Sequence, residues 1–341
     1  MPLKMFVTIS EEDRIARFDV DSETGKLEND GDVPVTGRPA PLAISPDRAR
    51  LYVGRRDINE ISSFEIDQDT GDLSMLGTAS LESDPCYIST DNTGNYLLSA
   101  YYSGGRAAVH RIDESGAAIT PPVEWLATGT GAHCMQTDPS NRFAFVPHIA
   151  GGNGPNLIFQ FKFDESTGHI TPNIPPTVAQ EPEAGPRHYC FNPDMDVVYF
   201  SNEQGSSVTA YDLDADNGTL TAFQTLSTLP DGYEGRNSCA QIHMSPTGDF
   251  LFAPNRGHNS MACFAVDSNT GRLERTAIVP TEAVPRAFGL DPSGNCLYAA
   301  GLESGRLAAY QINRTEGNLE HIETYDVGAG PMWVLITPLG E

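Results

Sequence analysis

Lysine is nearly absent from this sequence. The 341 residues contain only Lys4, Lys26 and Lys162; arginine supplies the rest of the 21 basic residues, against 46 aspartates and glutamates. The formal net charge is -25. A chain this acidic is poorly suited to bind the phosphates of nucleic acid or an anionic membrane surface, so we expect neither as a partner.

Long hydrophobic runs and paired cysteines are also missing. The N-terminal MPLKMFVTISEEDR reaches acidic residues after a short apolar stretch, which fits neither a signal-peptide core nor a membrane span. The six cysteines lie far apart with no C-x-x-C pair, which favours free thiols in a reducing compartment. These features predict a cytoplasmic protein.

Two short motifs each occur seven times. The first is a turn of the form D-x-x-T-G-x-L, whose acidic residues and glycine are typical of a hairpin loop. Its glycines are Gly25, Gly71, Gly116, Gly168, Gly218, Gly271 and Gly317. The second is a Pro-Asp type of turn with marker positions Pro46, Thr90, Pro139, Pro193, Pro246, Pro292 and Pro338. Both recur about every 49 residues, so seven copies fill the chain.

Each copy contains four short apolar segments and almost no helical periodicity. This pattern predicts an all-β fold, a seven-bladed β-propeller of four-stranded antiparallel blades that occupies residues 1–341 as one domain. The first copy begins at its second strand, and the last copy ends after its first, MWVLITP. We therefore expect the N-terminal and C-terminal strands to pair and close the ring, an offset that an open solenoid would not need.

The marker positions also predict which side chains meet at one mouth of the central channel. The innermost strand of a blade runs toward the marker turn and the next strand returns, so residues six before the marker and nine or ten after it share that mouth. Six before the markers are Ala40, Asp84, His133, Arg187, Ala240, Arg286 and Met332. Nine or ten after them are Arg55, Arg56, Ser99, Ala100, His148, Asn202, Glu203, Asn255, Arg256, Gly301 and Leu302. Neighbouring positions add His188, Gln241 and Trp333, and His243 lies deeper in the channel.

The charges at this mouth predict an anionic ligand. Arg187, Arg256 and Arg286 face a common cavity and repel one another unless an anion or a carboxylate compensates. A bound anion is the natural compensating group. Polar side chains that only hold water in a propeller channel are the alternative, and it stays open for each residue taken singly.

At these residues the chain resembles the seven-bladed propeller lactonases, the family that holds bacterial 6-phosphogluconolactonase of the propeller type and fungal carboxymuconate cyclase. The most specific strings are GAHCMQTDPSNR, GPRHYCFNPD, SNEQGSSVTAYDL, AQIHMSPTGDFLFAPNRG, VPRAFGLDPSG and GPMWVLITP. The resemblance implies that His133, Arg187, Glu203, Arg256 and Arg286 line the site, the same five that the marker count selects. It also implies a carboxylic ester hydrolase of carbohydrate metabolism, in the pentose phosphate pathway, that acts on a sugar lactone without a cofactor.

One segment departs from the family pattern. Relatives often place His or Ser where this chain has DPCYISTD, which contains Asp84 and Cys86. This side of the pocket, and with it the substrate preference, is therefore expected to differ.

Lactone hydrolysis needs a positioned water, a base and stabilisation of the oxyanion. We expect Glu203 or His133 to act as the base, with Arg256 as the third catalytic residue, and the sequence does not decide between the two bases. The predicted substrate-binding residues are Arg187, Arg286, His188, His148, Asp84, Gln241, His243 and Trp333. The substrate would be a small lactone that carries a phosphate or carboxylate, and the protein would be a monomer or weak homodimer.

Two other functions fit the same residues. A muconate-type cycloisomerase would add a substrate carboxylate across a double bond, and a non-enzymatic propeller would serve as a binding platform. A metal-dependent lactonase needs a ring of Glu, Asn and Asp oxygens around a hard cation. This mouth offers mostly Arg and His, so we expect no metal.

Overall fold

Seven separate antiparallel sheets make up the secondary structure of the computed structural model, which describes residues 1–340. Each sheet has four strands, and the only other regular element is a short 3-10 helix, Ser10–Glu12, within those residues. The prediction of an all-β, seven-bladed propeller is confirmed. We number the blades 1 to 7 in chain order and give the strands of each from the channel outward.

Blade 1 consists of β28 (Pro331–Pro338), β1 (Leu3–Ile9), β2 (Arg14–Val20) and β3 (Leu27–Pro34). Blade 2 consists of β4 (Pro39–Ile44), β5 (Arg50–Arg55), β6 (Glu60–Ile66) and β7 (Leu73–Ser80). Blade 3 consists of β8 (Tyr87–Thr90), β9 (Tyr96–Tyr101), β10 (Arg106–Arg111) and β11 (Glu124–Ala127). Blade 4 consists of β12 (Gln136–Thr137), β13 (Phe143–His148), β14 (Leu157–Phe163) and β15 (Ile170–Ala179).

Blade 5 consists of β16 (Pro186–Phe191), β17 (Val197–Asn202), β18 (Ser207–Asp214) and β19 (Thr219–Ser227). Blade 6 consists of β20 (His243–Met244), β21 (Phe250–Asn255), β22 (Ser260–Val266) and β23 (Leu273–Pro280). Blade 7 consists of β24 (Pro285–Leu290), β25 (Cys296–Gly301), β26 (Arg306–Ile312) and β27 (Leu319–Asp326).

The repeated D-x-x-T-G-x-L turn joins the third and fourth strands of each blade. In blade 2 the Asp67 carboxylate accepts hydrogen bonds from the backbone N–H groups of Asp69 and Thr70, and the Gly71 N–H donates to the Asp67 carbonyl. Gly71 has a φ of +76°, a conformation that glycine adopts without the steric cost other residues pay. All seven turn glycines share this left-handed conformation, which explains why the motif recurs.

The same turns connect neighbouring blades. Tyr52 donates a hydrogen bond to the Gly116 carbonyl, Tyr199 to that of Gly271 and Tyr298 to that of Gly25. Each tyrosine lies on the second strand of one blade, and each glycine lies in the turn of the next. The buried phenol thus satisfies its hydroxyl while its ring packs between the sheets.

The two ends of the chain close the ring in blade 1. Strand β28 pairs with β1 in antiparallel register from Leu3↔Pro338 to Ile9↔Pro331. Val334 of β28 is buried in the same apolar cluster as Met5 and Val7 of β1. The predicted pairing of the terminal strands is confirmed, and it leaves β1 without an open edge.

The inner strands are irregular where they approach one mouth of the channel. The pairing register shifts in blades 1, 2, 5 and 7, at the inner-strand residues next to Pro331, Pro39, Pro186 and Pro285. In blade 5, both Arg187 and His188 lie opposite Ser201 of the second strand. Such a bulge re-aims side chains, because it interrupts the strict alternation of a strand between its two faces.

Candidate active site

Glu203 forms the electrostatic centre of this mouth. It directly follows β17, and its Oε2 accepts a hydrogen bond from Nε of Arg187 on β16 at 2.7 Å. Arg256, which directly follows β21, places Nη2 3.1 Å from the same oxygen. Arg256 also donates from Nη2 to the Cys239 carbonyl at 2.8 Å. One carboxylate therefore holds two guanidinium groups from neighbouring blades.

The arginines keep Glu203 ionised. Burial of the carboxyl raises its pKa, but the charges of Arg187 and Arg256 lower it by more, and the net pKa lies below the ordinary glutamate value of 4.5. Glu203 therefore remains ionised at neutral pH.

Two neutral histidines lie beside this ion-pair group. The rings of His133 and His188 have centroids 5.2 Å apart. Burial, and then the positive charge of Arg187, holds the pKa of both rings well below the usual 6.5. Among residues 1–340, Nδ1 of His133 and Nε2 of His188 are buried without a hydrogen-bond partner. A neutral imidazole with a free ring nitrogen can accept a proton.

Two further arginine groups are short of negative partners. Within the described part of the chain, Arg286 makes no side-chain hydrogen bond or ion pair, and Nη1 of the buried Arg187 has no partner. Burial, followed by the positive charges of neighbouring arginines, lowers the pKa of Arg286 to about 9. Burial likewise lowers the pKa of Arg187 to about 10, although Glu203 opposes the shift. An anion bound here would relieve both groups.

Arg187, His188 and Arg286 line a narrow inner pocket. Its walls also include Arg56 and Gln241. Arg56 and Arg286 also line a wider opening of about 770 Å3 toward solvent. The site therefore has a deep part close to the Arg187–Glu203 pair and an outer part at the channel mouth.

The lactonase family described as "Lactonase, 7-bladed beta-propeller" matches residues 5–336 of this chain. The chain belongs to that family. Proteins named 6-phosphogluconolactonase are among its relatives: one from Serratia proteamaculans is 35% identical over 92% of this chain and 93% of its own length. Another, from Yersinia pestis, is 33% identical over 98% of each chain.

A structural comparison agrees on the fold of this lactonase-family chain. The structure of Pseudomonas aeruginosa periplasmic gluconolactonase, PpgL, superposes with a TM-score of 0.91 over 100% of both chains. The two sequences are 23% identical, so the likeness shows the shared propeller fold.

The structure brings nine of the predicted site residues together at the mouth of the lactonase propeller. Gln241 accepts a hydrogen bond from the Phe288 N–H at 2.9 Å and forms part of the pocket wall. The Trp333 ring lies 6.1 Å from that of His188 and 5.6 Å from that of Tyr87, and it closes the inner pocket from below. The nine residues are His133, Arg187, His188, Glu203, Arg256, Arg286, Gln241, Trp333 and Asp84.

The structure does not bring the other two to this site. His148 ends β13, but its ring turns into blade 4, where Nδ1 bonds to the Val146 carbonyl and Nε2 to the Thr128 hydroxyl, both at 3.0 Å. His243 lines a separate cavity farther along the channel, where its ring packs against Phe288 at 4.6 Å. The ring direction keeps His148 out of the pocket, whereas His243 lies deeper in the channel, where the marker count had placed it.

Arg56 is the site residue to which the sequence assigned no role. The marker count places it at the mouth, next to Arg55, without distinguishing the two. In the structure Arg56 enters the pocket, whereas Arg55 bonds to Glu60 and to the Thr36 backbone. The end of β5 separates them, because Arg55 is the last residue of the strand and pairs with Glu60 of β6, whereas Arg56 lies just beyond it.

Two further observations concern metal-binding groups and membrane-spanning helices. Within residues 1–340, no group of three or more His, Cys, Asp or Glu side chains is arranged to hold a metal ion. The same residues include no helix with the length and apolarity needed to cross a membrane.

The buried histidines predict a loss of stability in mild acid. Burial lowers the pKa of His133, His188 and His148, that of His148 to about 4. The unfolded chain therefore binds more protons than the folded one below pH 6.5, so stability is fully present above that pH and is lost as the pH falls. For His148 alone the loss at pH 5 is about 2 kcal/mol. We expect the Tm from calorimetry to fall between pH 7.5 and pH 5.

A matched pair of variants tests the cause. The ring of His321 is exposed, and His321→Gln should keep the wild-type slope of Tm against pH, whereas His148→Gln should reduce it. High salt in all samples screens the general charge of the acidic surface. A Tm that stays constant or rises from pH 7.5 to pH 5 would contradict the assignment of these histidines as neutral.

Proposed function

We propose that the protein hydrolyses the ring ester of a phosphorylated sugar lactone, with 6-phosphogluconolactone as the substrate. The observation that carries this proposal is the group of arginines in the pocket, where Arg286 and Nη1 of Arg187 lack a negative partner. Guanidinium groups in this state bind phosphate, carboxylate and developing oxyanions. The names of the relatives support the choice of lactone.

We propose His133 as the base of this reaction. Both arginines contact the same carboxylate oxygen of Glu203, whereas the neutral His133 has a ring nitrogen without a hydrogen-bond partner. The imidazole accepts a proton from water while the water oxygen bonds to the lactone carbonyl carbon. The carbonyl electron pair moves to oxygen, and the resulting oxyanion receives a hydrogen bond from Nη1 of Arg187.

The second half of the reaction opens the ring. When the carbonyl re-forms, the bond from carbon to the ring oxygen breaks, and that oxygen takes the proton from the His133 imidazolium. The product is a hydroxy acid, which releases its carboxyl proton to solvent. Arg256 shares its Nη2 between the Cys239 carbonyl and Glu203, so we assign it the positioning of Glu203 rather than the oxyanion.

A parallel assay tests the activity. The protein is incubated with 6-phosphogluconolactone and, separately, with a carboxylated muconate, and proton release or absorbance is followed in each. We expect turnover of the lactone well above its spontaneous hydrolysis, with no effect of EDTA. Turnover of the muconate alone would establish the cycloisomerase instead, and loss of lactonase activity in EDTA would overturn the expectation of a metal-free mechanism.

We also propose that the protein acts in the cytoplasm. All six cysteines are free, and five of them are buried, which suits a reducing compartment. Fractionation of source cells with detection by antibody tests this location, and recovery in the periplasmic fraction would contradict it. The expectation of a monomer or weak homodimer stays a prediction, which size-exclusion chromatography with light scattering can check.

A further inference from the structure

An ion pair between Arg56 and Asp84 lies at the mouth of the pocket. Arg56 directly follows β5 and Asp84 precedes β8, so the pair joins blades 2 and 3. Nη2 of Arg56 is 2.5 Å from Oδ2 of Asp84. The pairing restrains one end of the guanidinium, and Nε of Arg56 is buried without a partner among residues 1–340.

Arg56 belongs to both parts of the site. It lines the inner pocket with Arg187 and Arg286, and it lines the outer opening with Arg286 and Arg38. Arg187 and Arg256 are both engaged by Glu203 deeper in the site. The cations therefore fall into two groups, an inner pair that shares Glu203 and an outer group of Arg38, Arg56 and Arg286, of which only Arg56 and Arg286 also line the inner pocket.

The outer opening restricts where an anion can sit. Glu11, Glu303 and Asp326 also line it, and they repel a negative ligand. A negative ligand is attracted most strongly between Arg56 and Arg286, because Arg286 has no negative partner. A phosphorylated lactone needs two binding points of this kind, one for the reacting carbonyl and one for the phosphate at the far end of the molecule.

We propose that Arg56 and Arg286 bind the phosphate group of the substrate and that Asp84 is a positioning residue that orients Arg56 for this contact. The inference rests on the proposed function, because it divides the same pocket into a reaction part and a phosphate part. It makes the Arg56–Asp84 pair the determinant of preference for phosphorylated over unphosphorylated lactones.

Replacement of Asp84 distinguishes positioning from simple repulsion. If Asp84 only adds negative charge near the phosphate, Asp84→Asn should strengthen substrate binding and lower KM. If Asp84 orients Arg56, the same change releases the guanidinium and raises KM. The two explanations therefore predict opposite signs.

The experiment measures kcat and KM of four variants with 6-phosphogluconolactone and with gluconolactone. We expect Arg56→Met to raise KM for the phosphorylated lactone roughly 10-fold to 100-fold, as for loss of a charge-assisted hydrogen bond, and to leave kcat/KM for gluconolactone within about threefold. Asp84→Asn should raise KM for the phosphorylated lactone about threefold to tenfold. In the Arg56→Met background, Asp84→Asn should no longer raise KM, because no guanidinium remains to be oriented.

Arg55→Met is the matched control, because Arg55 is the neighbour of Arg56 but pairs with Glu60 outside the pocket. It should leave the kinetics with both lactones unchanged. Equal losses with both lactones in Arg56→Met, or a lower KM in Asp84→Asn, would overturn the inference.

Binding of inorganic phosphate gives a readout that does not depend on turnover. Phosphate should raise the Tm of the wild-type protein, and this rise should be lost in Arg56→Met but kept in Arg55→Met. If neither lactone is hydrolysed yet the phosphate effect follows this pattern, the proposed function fails and the anion site stands. If the lactone is hydrolysed but Arg56→Met matches the wild type in both measurements, the phosphate site fails and the proposed function stands.

Discussion

Arg187→Met is expected to lower kcat/KM for 6-phosphogluconolactone by on the order of 100-fold to 1,000-fold, the usual cost of losing one oxyanion donor. Arg187 is 2% exposed, lies against Glu203, lines the inner pocket and has a buried Nη1 without a partner. Methionine fills a similar volume but has neither the charge nor the donor. Most of the loss should therefore appear in kcat rather than in KM.

The stability of the Arg187→Met variant has to be measured beside its kinetics. In this variant Arg256, at 3.1 Å, still neutralises the Glu203 carboxylate. An apolar replacement of one member of a buried ion pair can then be tolerated. Arg275→Met is the control, because Arg275 lies on β23, the outer strand of blade 6, and pairs with Asp231 in the loop after β19. A variant at position 187 that keeps its Tm and turns over within about threefold of the wild type would refute the role of Arg187.

Deletion of residues 331–341 is expected to prevent the chain from folding to a stable propeller. The deletion removes β28, which pairs with β1 from Leu3 to Ile9 and buries Val334 in the core of blade 1. It also removes Trp333 from the floor of the pocket. The net stability of a domain is about 5–15 kcal/mol, and the loss of the whole channel-lining strand of a blade is comparable with that total. The truncated chain should be insoluble or lack cooperative thermal unfolding by circular dichroism.

Complementation tests whether the missing strand is the cause. A synthetic peptide of residues 328–340 can add to the open edge of β1, as extended peptides add to exposed strands elsewhere. The wild-type peptide should restore cooperative unfolding, and a peptide with Val334→Asp should not, because Val334 lies in the apolar cluster with Met5. A truncated protein with the melting curve of the full chain would show that β28 contributes little.

Most of the fold could be predicted from the sequence because each blade repeats the same local requirements. The turn between the third and fourth strands needs a left-handed glycine and a capping carboxylate, as at Gly71 and Asp67, and both are visible in the sequence as a recurring motif. The starting phase of the first copy, at its second strand, also predicted the pairing of β1 with β28. Such features are local or periodic, so a single chain displays them.

The side-chain directions in the site could be predicted only in part. Counting from the marker placed Arg187, Glu203 and Arg256 at one end, and in the structure both arginines contact Glu203. Alternation along a strand fails at a bulge, which lets Arg187 and His188 face the same Ser201. The pairing of Arg56 with Asp84 depends on the geometry between two blades, which no pattern within one repeat contains.

Closure by the two ends has a consequence for biosynthesis. The inner strand of the first blade is the last one that the ribosome produces, since β28 spans Pro331–Pro338. Blades 2 to 7 can assemble during translation, but β1 stays an unpaired edge until the other strands of the propeller have been made. The nascent propeller therefore exposes a strand edge throughout that interval, and such an edge can pair with another chain.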